Sequence, residues 1–309
     1  MTNLTKIKVV GVGGSGLNAV SRIARCNIEG IELIAINTDA QDLAKARADV
    51  KLRIGVEITQ GLGAGMDPEV GRKSALENRQ DIADALKGSD VIFITCGMGG
   101  GTGSGASPII AEVAKETGAL TLAVVTKPFS FEGLARERIA ENGIKRLKEK
   151  VDTVIIISNN KLLSTLDPSI SLINAFWVCD DILRQAVQGI SDLILLPGII
   201  NVDFADVKAI MVNAGSALFG VGRARGEGRA EKAAMAAINS PLLDISPKGA
   251  KGVLFNVSGG KDISLSEIDT VAKIINQEVN PDAKIIFGAV QDEKLKKGEI
   301  KVTVIATGF

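Results

Sequence analysis

The spacing of apolar positions changes along the chain, and each change marks an element. Short runs rich in Val and Ile at 6–10, 31–37, 90–96, 120–125 and 153–157 are bounded by glycine or polar residues and read as buried strands, with 51–54 as a shorter candidate. Between them apolar residues recur every three or four positions, which predicts helices over 17–28, 68–86, 106–116 and 134–148. Strands alternating with helices at this spacing predict an α/β fold with a doubly wound, mostly parallel sheet, whose ligands bind at the carboxyl ends of the strands.

The pattern then lengthens. Leu172, Ala175, Phe176, Cys179, Ile182, Leu183, Ala186, Val187, Ile190, Leu193 and Ile194 predict a largely buried helix, long enough at ~1.5 Å per residue to link two domains. On this periodicity Phe176 is core, and Asp180, Asp181, Arg184 and Gln185 are its solvated face. Pro197 ends it, and a further helix runs on through 209–218. The remainder predicts a second, smaller α/β domain: a helix over 229–239, a strand at 253–257, a helix opened by the capping box Ser264-Leu-Ser-Glu267, and strands at 285–287 and 301–305. The organisation is thus a nucleotide-binding sheet over 1–170, a linking helix over 171–196 and a C-terminal domain over 197–309.

The chemistry sits in the turns. Gly97-Met98-Gly99-Gly100-Gly101-Thr102-Gly103-Ser104-Gly105 joins a strand to a helix, and such a backbone presents successive N–H groups to an anion. Gly11-Val-Gly13-Gly14-Ser15-Gly16 is a literal G-x-G-x-x-G in the placement a dinucleotide fold requires, and Asp39 follows at about the 20-residue distance of a ribose-binding acid. A nicotinamide oxidoreductase is therefore a real rival at this point, and plain helix caps at Asn18 and Asp39 are the bland one. A third loop, Gly61-Leu-Gly63-Ala64-Gly65, opens onto Asp67 and Pro68, an N-cap followed by a first-turn proline. Asp203 and Asp206 lie three apart and face one way from a helix start, which capping and the helix dipole also explain.

Composition narrows the classes. Lys plus Arg and Asp plus Glu are both 36, and aromatics are 3%, which gives no basic, base-stacking surface for nucleic acid. The absence of histidine removes its catalytic and metal-binding roles, so proton chemistry falls to carboxylates, Lys or water. Cys26, Cys96 and Cys179 are scattered in apolar surroundings, as packed thiols rather than a metal cluster. With no signal pattern at the N-terminus and no apolar run of ~18 residues, the expectation is a cytoplasmic protein without membrane insertion.

Taken together, Gly99-Gly-Gly-Thr-Gly-Ser-Gly105, Asn37-Thr-Asp-Ala-Gln41, Gly63-Ala-Gly65 before Pro68-Glu69, Pro128-Phe-Ser-Phe-Glu132-Gly and Asn201-Val-Asp-Phe-Ala-Asp206 resemble FtsZ, the tubulin-like cell-division family, in order over nearly the whole chain. The resemblance implies a tubulin/FtsZ-like fold and a GTPase that assembles head to tail into filaments at the division site, using GTP/GDP and Mg²⁺. By motif position, Gly14, Ser15, Gly16, Leu17 and Asn18 with Gly101, Thr102 and Gly103 would hold the phosphates, and Gly13, Gly97, Gly99 and Gly100 would belong to the same nucleotide site. Ala64 and Gly65 would close over the γ-phosphate, Glu132 and Arg136 would serve the ribose, and Asn18, Asn159, Phe176 and Asp180 would surround guanine. Asn201, Asp203 and Asp206 would enter the neighbouring subunit's site and orient the attacking water. Other division proteins are expected partners, although the family's linker and C-terminal peptide do not follow Phe309.

Several residues depart from the family pattern. Ser15 stands at a usual glycine, which is tolerable if its φ is negative, and Ser104 is a hydroxyl swap. Leu17 replaces a polar residue, and Met66-Asp67 brings a negative charge towards the phosphates, so both would weaken nucleotide affinity. The alternatives to a polymerising GTPase are a nucleotide-binding assembly protein with little hydrolysis and, further off, the oxidoreductase. A P-loop enzyme is excluded because no G-x-x-x-x-G-K-[ST] occurs.

Overall fold

The computed structural model describes residues 5–26, 28, 30–163, 166–167, 169–195, 198–240, 247–292 and 295–309. Two compact units emerge, Met1–Gln188 and Gly189–Phe309.

In unit 1 the elements run β1 (Ile7–Val12), α1 (Gly13–Arg25), β2 (Ile31–Asn37), α2 (Ala40–Lys45), β3 (Val50–Arg53), α3 (Val56–Thr59), α4 (Pro68–Glu77), α5 (Arg79–Leu86), β4 (Val91–Gly97), α6 (Gly101–Glu116), β5 (Leu120–Lys127), α7 (Leu134–Lys148), β6 (Thr153–Ser158) and α8 (Asn159–Leu163). Next comes α9 (Leu172–Leu195), within which the division between the units falls. The strands lie in the order β3-β2-β1-β4-β5-β6, with every pairing parallel. Strand order reverses direction at β1 and β4, so the turns after these two strands flank the crevice where doubly wound sheets bind ligands. The sheet is buried on both faces. Ile34, Ile92, Ile94 and Val125 pack with Ile82, Leu86, Ile110 and Leu147 of the helices in one core.

Unit 2 continues with α10 (Phe204–Met211), β7 (Gly215–Arg225), α11 (Arg229–Ile238), β8 (Gly252–Gly259), α12 (Leu265–Glu278), β9 (Lys284–Gln291) and β10 (Glu299–Thr307). Its order is β7-β10-β8-β9, antiparallel except for the β8–β9 pair that α12 crosses between. Phe255, Val257, Val271, Ile275, Val302 and Ala234 form its core.

Four sequence expectations change. The helix expected over 68–86 is two, because the Asn78 side chain accepts from the Gly55 N–H and donates to Asp81, and Asn78 leaves helical geometry at φ −105° and ψ 28°. The glycine-rich turn is shorter than it reads, since Gly101 already begins α6. Likewise α1 begins at Gly13 rather than residue 17. The helix expected through 209–218 stops at Met211; Asn213 (φ +51°) and Gly215 (φ +72°) turn the chain left-handed and launch β7, a strand the apolar pattern did not announce. Pro197, expected to end α9, lies outside the described residues, as do residues 1–4.

Candidate functional site

A cavity of about 520 Å³ opens in unit 1 at the carboxyl ends of β1, β2, β4 and β5. Its floor is made by two helix starts. Gly13, at φ +69°, lets the chain turn directly from β1 into α1, and a Cβ there would stand 3.2 Å from the Gly103 nitrogen, so the α1 and α6 N-termini converge. Neither helix receives a side-chain cap and neither has an acid in its first turn. By contrast Asp39 caps α2, Asp67 caps α4 and Ser264 caps α12. Leaving the first-turn N–H groups of α1 and α6 open creates positive potential that an anion, above all a phosphate chain, satisfies. The Gly101 N–H itself goes to the Gly65 carbonyl at 3.0 Å, which ties the third glycine loop to the cradle, and the Thr38 and Thr102 hydroxyls meet at 2.7 Å across it.

The far wall is arranged for something flat and polar. Phe176, 39% exposed rather than core, meets Phe129 edge-on at 5.2 Å, and Phe129 stacks on Phe131 at 4.9 Å. Beside it Asp180 is only 6% exposed. Burial pushes its carboxyl up to about 6, against the opposing pull of Arg22, whose Nη2 lies 3.3 Å away. Asn159 is 5% exposed, and its Oδ1 has no hydrogen-bond partner. Two buried acceptors thus face the cavity and await a donor-bearing ligand. At the edge Glu132 accepts from the Phe129 N–H at 2.9 Å and from Arg136 Nη1 at 2.9 Å, which fixes both side chains at the rim. Cys179 also lines the wall; burial and the neighbouring Asp180 push its thiol up to about 12, so it stays protonated.

Of the sequence-predicted residues, Gly13, Gly14, Ser15, Asn18, Ala64, Gly65, Gly97, Gly100, Gly101, Thr102, Gly103, Glu132, Arg136, Asn159, Phe176 and Asp180 line this cavity, whereas Gly16, Leu17 and Gly99 do not. Leu17 is 3% exposed and packs with Ala35, Leu43 and Ala46, so its loss of polarity falls on a small core instead of the ligand. A Cβ on Gly16 would lie 2.5 Å from the Thr95 carbonyl, and the Gly99 N–H is held by the Ser104 hydroxyl at 2.8 Å. Ser15 sits in α1 without positive φ. Asp67, expected to press on the phosphates, instead accepts from the Glu69 N–H at 2.8 Å, and neither it nor Met66 lines the cavity. The cavity is also lined by Asp39 and adds Asn37, Thr38, Asp42, Met98 and Thr126; the available signal was position, since Asn37 is the last residue of β2 and Thr126 the last but one of β5, on the ligand side of the sheet. Asp39 spends Oδ1 on the N–H groups of Gln41 and Asp42, which is the work of a cap and not of a ribose-binding acid.

Asn201, Asp203 and Asp206 belong to unit 2 and are exposed. Asn201 Oδ1 accepts from the Gly198 N–H at 2.6 Å, which shapes the loop before α10. Asp203 occupies the N-cap position of α10, yet its carboxylate makes no capping bond. The capping explanation of the pair therefore leaves the Asp203 side chain unaccounted for.

Residues 6–167 match the family described as Tubulin/FtsZ family, GTPase domain, and residues 215–309 match FtsZ family, C-terminal domain. The chain belongs to the FtsZ family. It is 46% identical to an FtsZ of M. jannaschii solved as an empty dimer, at TM-score 0.95 over 100% of this chain and 89% of that one. CetZ2 from Haloferax volcanii, a GTPγS-bound protofilament, shares the fold at 22% identity and TM-score 0.81, over 98% of this chain and 92% of that one. As an FtsZ-family chain with its GTPase domain, this protein is a GTPase of the tubulin/FtsZ type, and the oxidoreductase reading falls away. Among the described residues no helix is long and apolar enough to cross a membrane.

Proposed function

We propose that the chain binds GTP in the unit 1 cavity, assembles head to tail into cytoplasmic filaments at the division site, and hydrolyses GTP when Asn201, Asp203 and Asp206 of one copy reach the cavity of the next. The observation that carries the binding half is the pair of uncapped helix starts at Gly13 and Gly101 facing the buried acceptors of Asp180 and Asn159. The first fits a polyphosphate. The second fits guanine, whose N1–H and exocyclic amine are adjacent donors, while adenine offers an acceptor beside a donor.

Hydrolysis requires in-line attack of water on the γ-phosphoryl group, and catalysis of that step is mostly positioning and charge stabilisation. The N–H groups of α1 and α6 stabilise charge developing on the phosphoryl oxygens. Water positioning is what the cavity's own residues leave unsupplied. Asp203, exposed and free of a cap bond, suits that role from a neighbouring copy. A carboxylate is a weak base, so it orients that water more than it deprotonates it. Magnesium, when bound, supplies charge neutralisation at the phosphates. Asp39 and Asp42 line the cavity and would be the carboxylates available to its bound waters, and among the described residues no cluster of three acidic or Cys ligands would hold it without the phosphates. Self-association accords with the dimer and protofilament in which its structural relatives were solved. A heterologous contact that does not close builds an open filament.

The test is phosphate release against protein concentration. Specific activity is expected to climb past a critical concentration. Asp203→Ala and Asp206→Ala are expected to keep nucleotide binding and lose ~10²-fold in turnover. A flat concentration profile would sink shared catalysis, and full turnover in both variants would remove the two acids from the reaction.

A further inference from the structure

Arg22 does not line the cavity, yet among the described residues it is the one ion-pair partner of Asp180, the residue on which base choice turns. It leaves the last turn of α1, and its Nη2 reaches Asp180 Oδ2 at 3.3 Å across 158 positions of sequence. Its guanidinium lies 5.1 Å from the centre of the Trp177 ring, three residues before Asp180 on α9. The ion pair is secluded, with side-chain exposures of 21% for Arg22 and 8% for Asp180. Arg22 does not line the cavity, whereas Asp180 does. The contact therefore comes from behind and takes one carboxylate oxygen, and the cavity side of the carboxylate stays open to a ligand. Arg22 Nε is buried with no partner, so the fork is held by Trp177 and a single long bond instead of a full set of acceptors.

We propose that Arg22 is a specificity-determining positioning residue: by holding and orienting the Asp180 carboxylate from outside the cavity, it makes the site read guanine and refuse adenine. The inference rests on the reading that Asp180 meets the base. A carboxylate presents two acceptors, which match the two donors of guanine. A neutral carboxyl presents one donor and one acceptor, which match N1 and the exocyclic amine of adenine. The state of this one group thus decides the base. Burial alone drives Asp180 towards the neutral form, and the opposing influence comes from Arg22. The other titratable groups near it do not substitute: Cys179 is a protonated thiol, Glu132 offers no cation and accepts from Arg136, and Arg184 is engaged with Asp181.

The experiment is calorimetric titration of the full chain with GDP and with ADP at several values between pH 5.5 and 8.5, for the native protein, Arg22→Gln, Arg22→Met and Asp180→Asn. Arg22→Gln is expected to lower the GDP-over-ADP preference at neutral pH by on the order of tenfold or more, the scale of a hydrogen bond to a charged group. GDP affinity in that variant should recover towards pH 8.5, because a higher pH ionises Asp180 without help. Arg22→Met keeps an aliphatic stem on Trp177 and should behave alike, which preserves the test if the glutamine variant does not fold. GDP and ADP weakened equally, with a pH profile parallel to the native one, would reduce Arg22 to packing and overturn the proposal. Asp180→Asn separates the two levels: unchanged guanine preference there would instead overturn the assignment of Asp180 to the base, and with it this inference.

Discussion

Unit 1 and unit 2 each bury an arginine against carboxylates, and the two are finished to different degrees. In unit 2 Arg229 uses its whole fork. Nε meets Glu267 at 2.6 Å, Nη1 meets Asp262 at 2.7 Å, and Nη2 meets the second Glu267 oxygen at 3.0 Å and the Asp262 carbonyl at 2.9 Å. Glu267 in turn closes the capping box of α12 on Ser264. In unit 1 Arg22 has one hydrogen bond, at 3.3 Å, and an orphaned Nε. The two helix starts that floor the cavity, α1 and α6, are open in the same way, whereas α12, like α2 and α4 away from the cavity floor, is capped. A satisfied polar group stabilises the fold and has nothing left to offer; an unsatisfied one costs stability that a ligand returns. Incompleteness in unit 1 is where binding energy is stored.

The comparison breaks most sharply at Arg229. Arg229→Met would leave Glu267 and Asp262 facing an apolar stem in place of a guanidinium whose side chain is 9% exposed, which is expected to destabilise the fold, with solvent screening the more exposed Asp262. Urea unfolding should show that loss with guanine preference intact, the mirror image of Arg22→Gln. The pH dependence has a definite sign. Arg229 holds Glu267 well below its ordinary value, at about 2, so the pair's contribution is fully present above about 4.5 and fades as pH falls towards 2. The variant should lack that acid-side slope. Equal acid profiles would mean that Arg229 and Glu267 are not coupled in solution.

A smaller effect sharpens the unit 1 side. Because burial raises Asp180 to about 6, the native protein should lose GDP affinity below that pH, by up to tenfold per unit, as the carboxyl takes up the proton that guanine's donors displace. Above about pH 7 affinity should be level. An affinity unchanged between pH 5 and 7 would show that the carboxylate does not meet the base.

How far the sequence carried these conclusions depends on whether the cause was local. The glycine loops were legible because a cradle is written in consecutive residues, and the capping box because its two members lie three apart. Asp180 was not: helical periodicity puts it on the wetter face of α9, yet it is 6% exposed, and the side chain that reaches it, Arg22, comes from α1, 158 positions away in sequence. Phe176 was misplaced in the opposite direction, since nothing in its spacing shows that the cavity lies on its side of α9. β7 was missed because Gly220 and Gly222 dilute its strand signal; Cβ atoms there would stand 2.1 and 2.0 Å from the carbonyls of Ala237 and Ala233, so the glycines answer to α11 and not to the strand. Asp203 and Asp206 were visible as a pair, but capping explained them equally well until the Asp203 side chain was found without a capping bond.

The smallest predicted effect isolates the principle, because its two readouts move in opposite directions. Gly100 is the N-cap of α6, its backbone is extended at φ −97° and ψ 168°, and a Cβ built there meets nothing within 4 Å. Gly100→Asn therefore fits without strain and offers a side-chain oxygen to the first-turn N–H groups that the cavity otherwise leaves open. Asparagine exceeds glycine at this position by only a few tenths of a kcal/mol, so the nucleotide-free protein should be stabilised by about that much. The same oxygen competes with phosphate for those donors, so GDP should bind a few-fold more weakly, and guanosine, which has no phosphate, should be unaffected. If stability and GDP affinity instead rose together, or if guanosine weakened in step with GDP, the open end of α6 would be incidental and the phosphates would be held elsewhere.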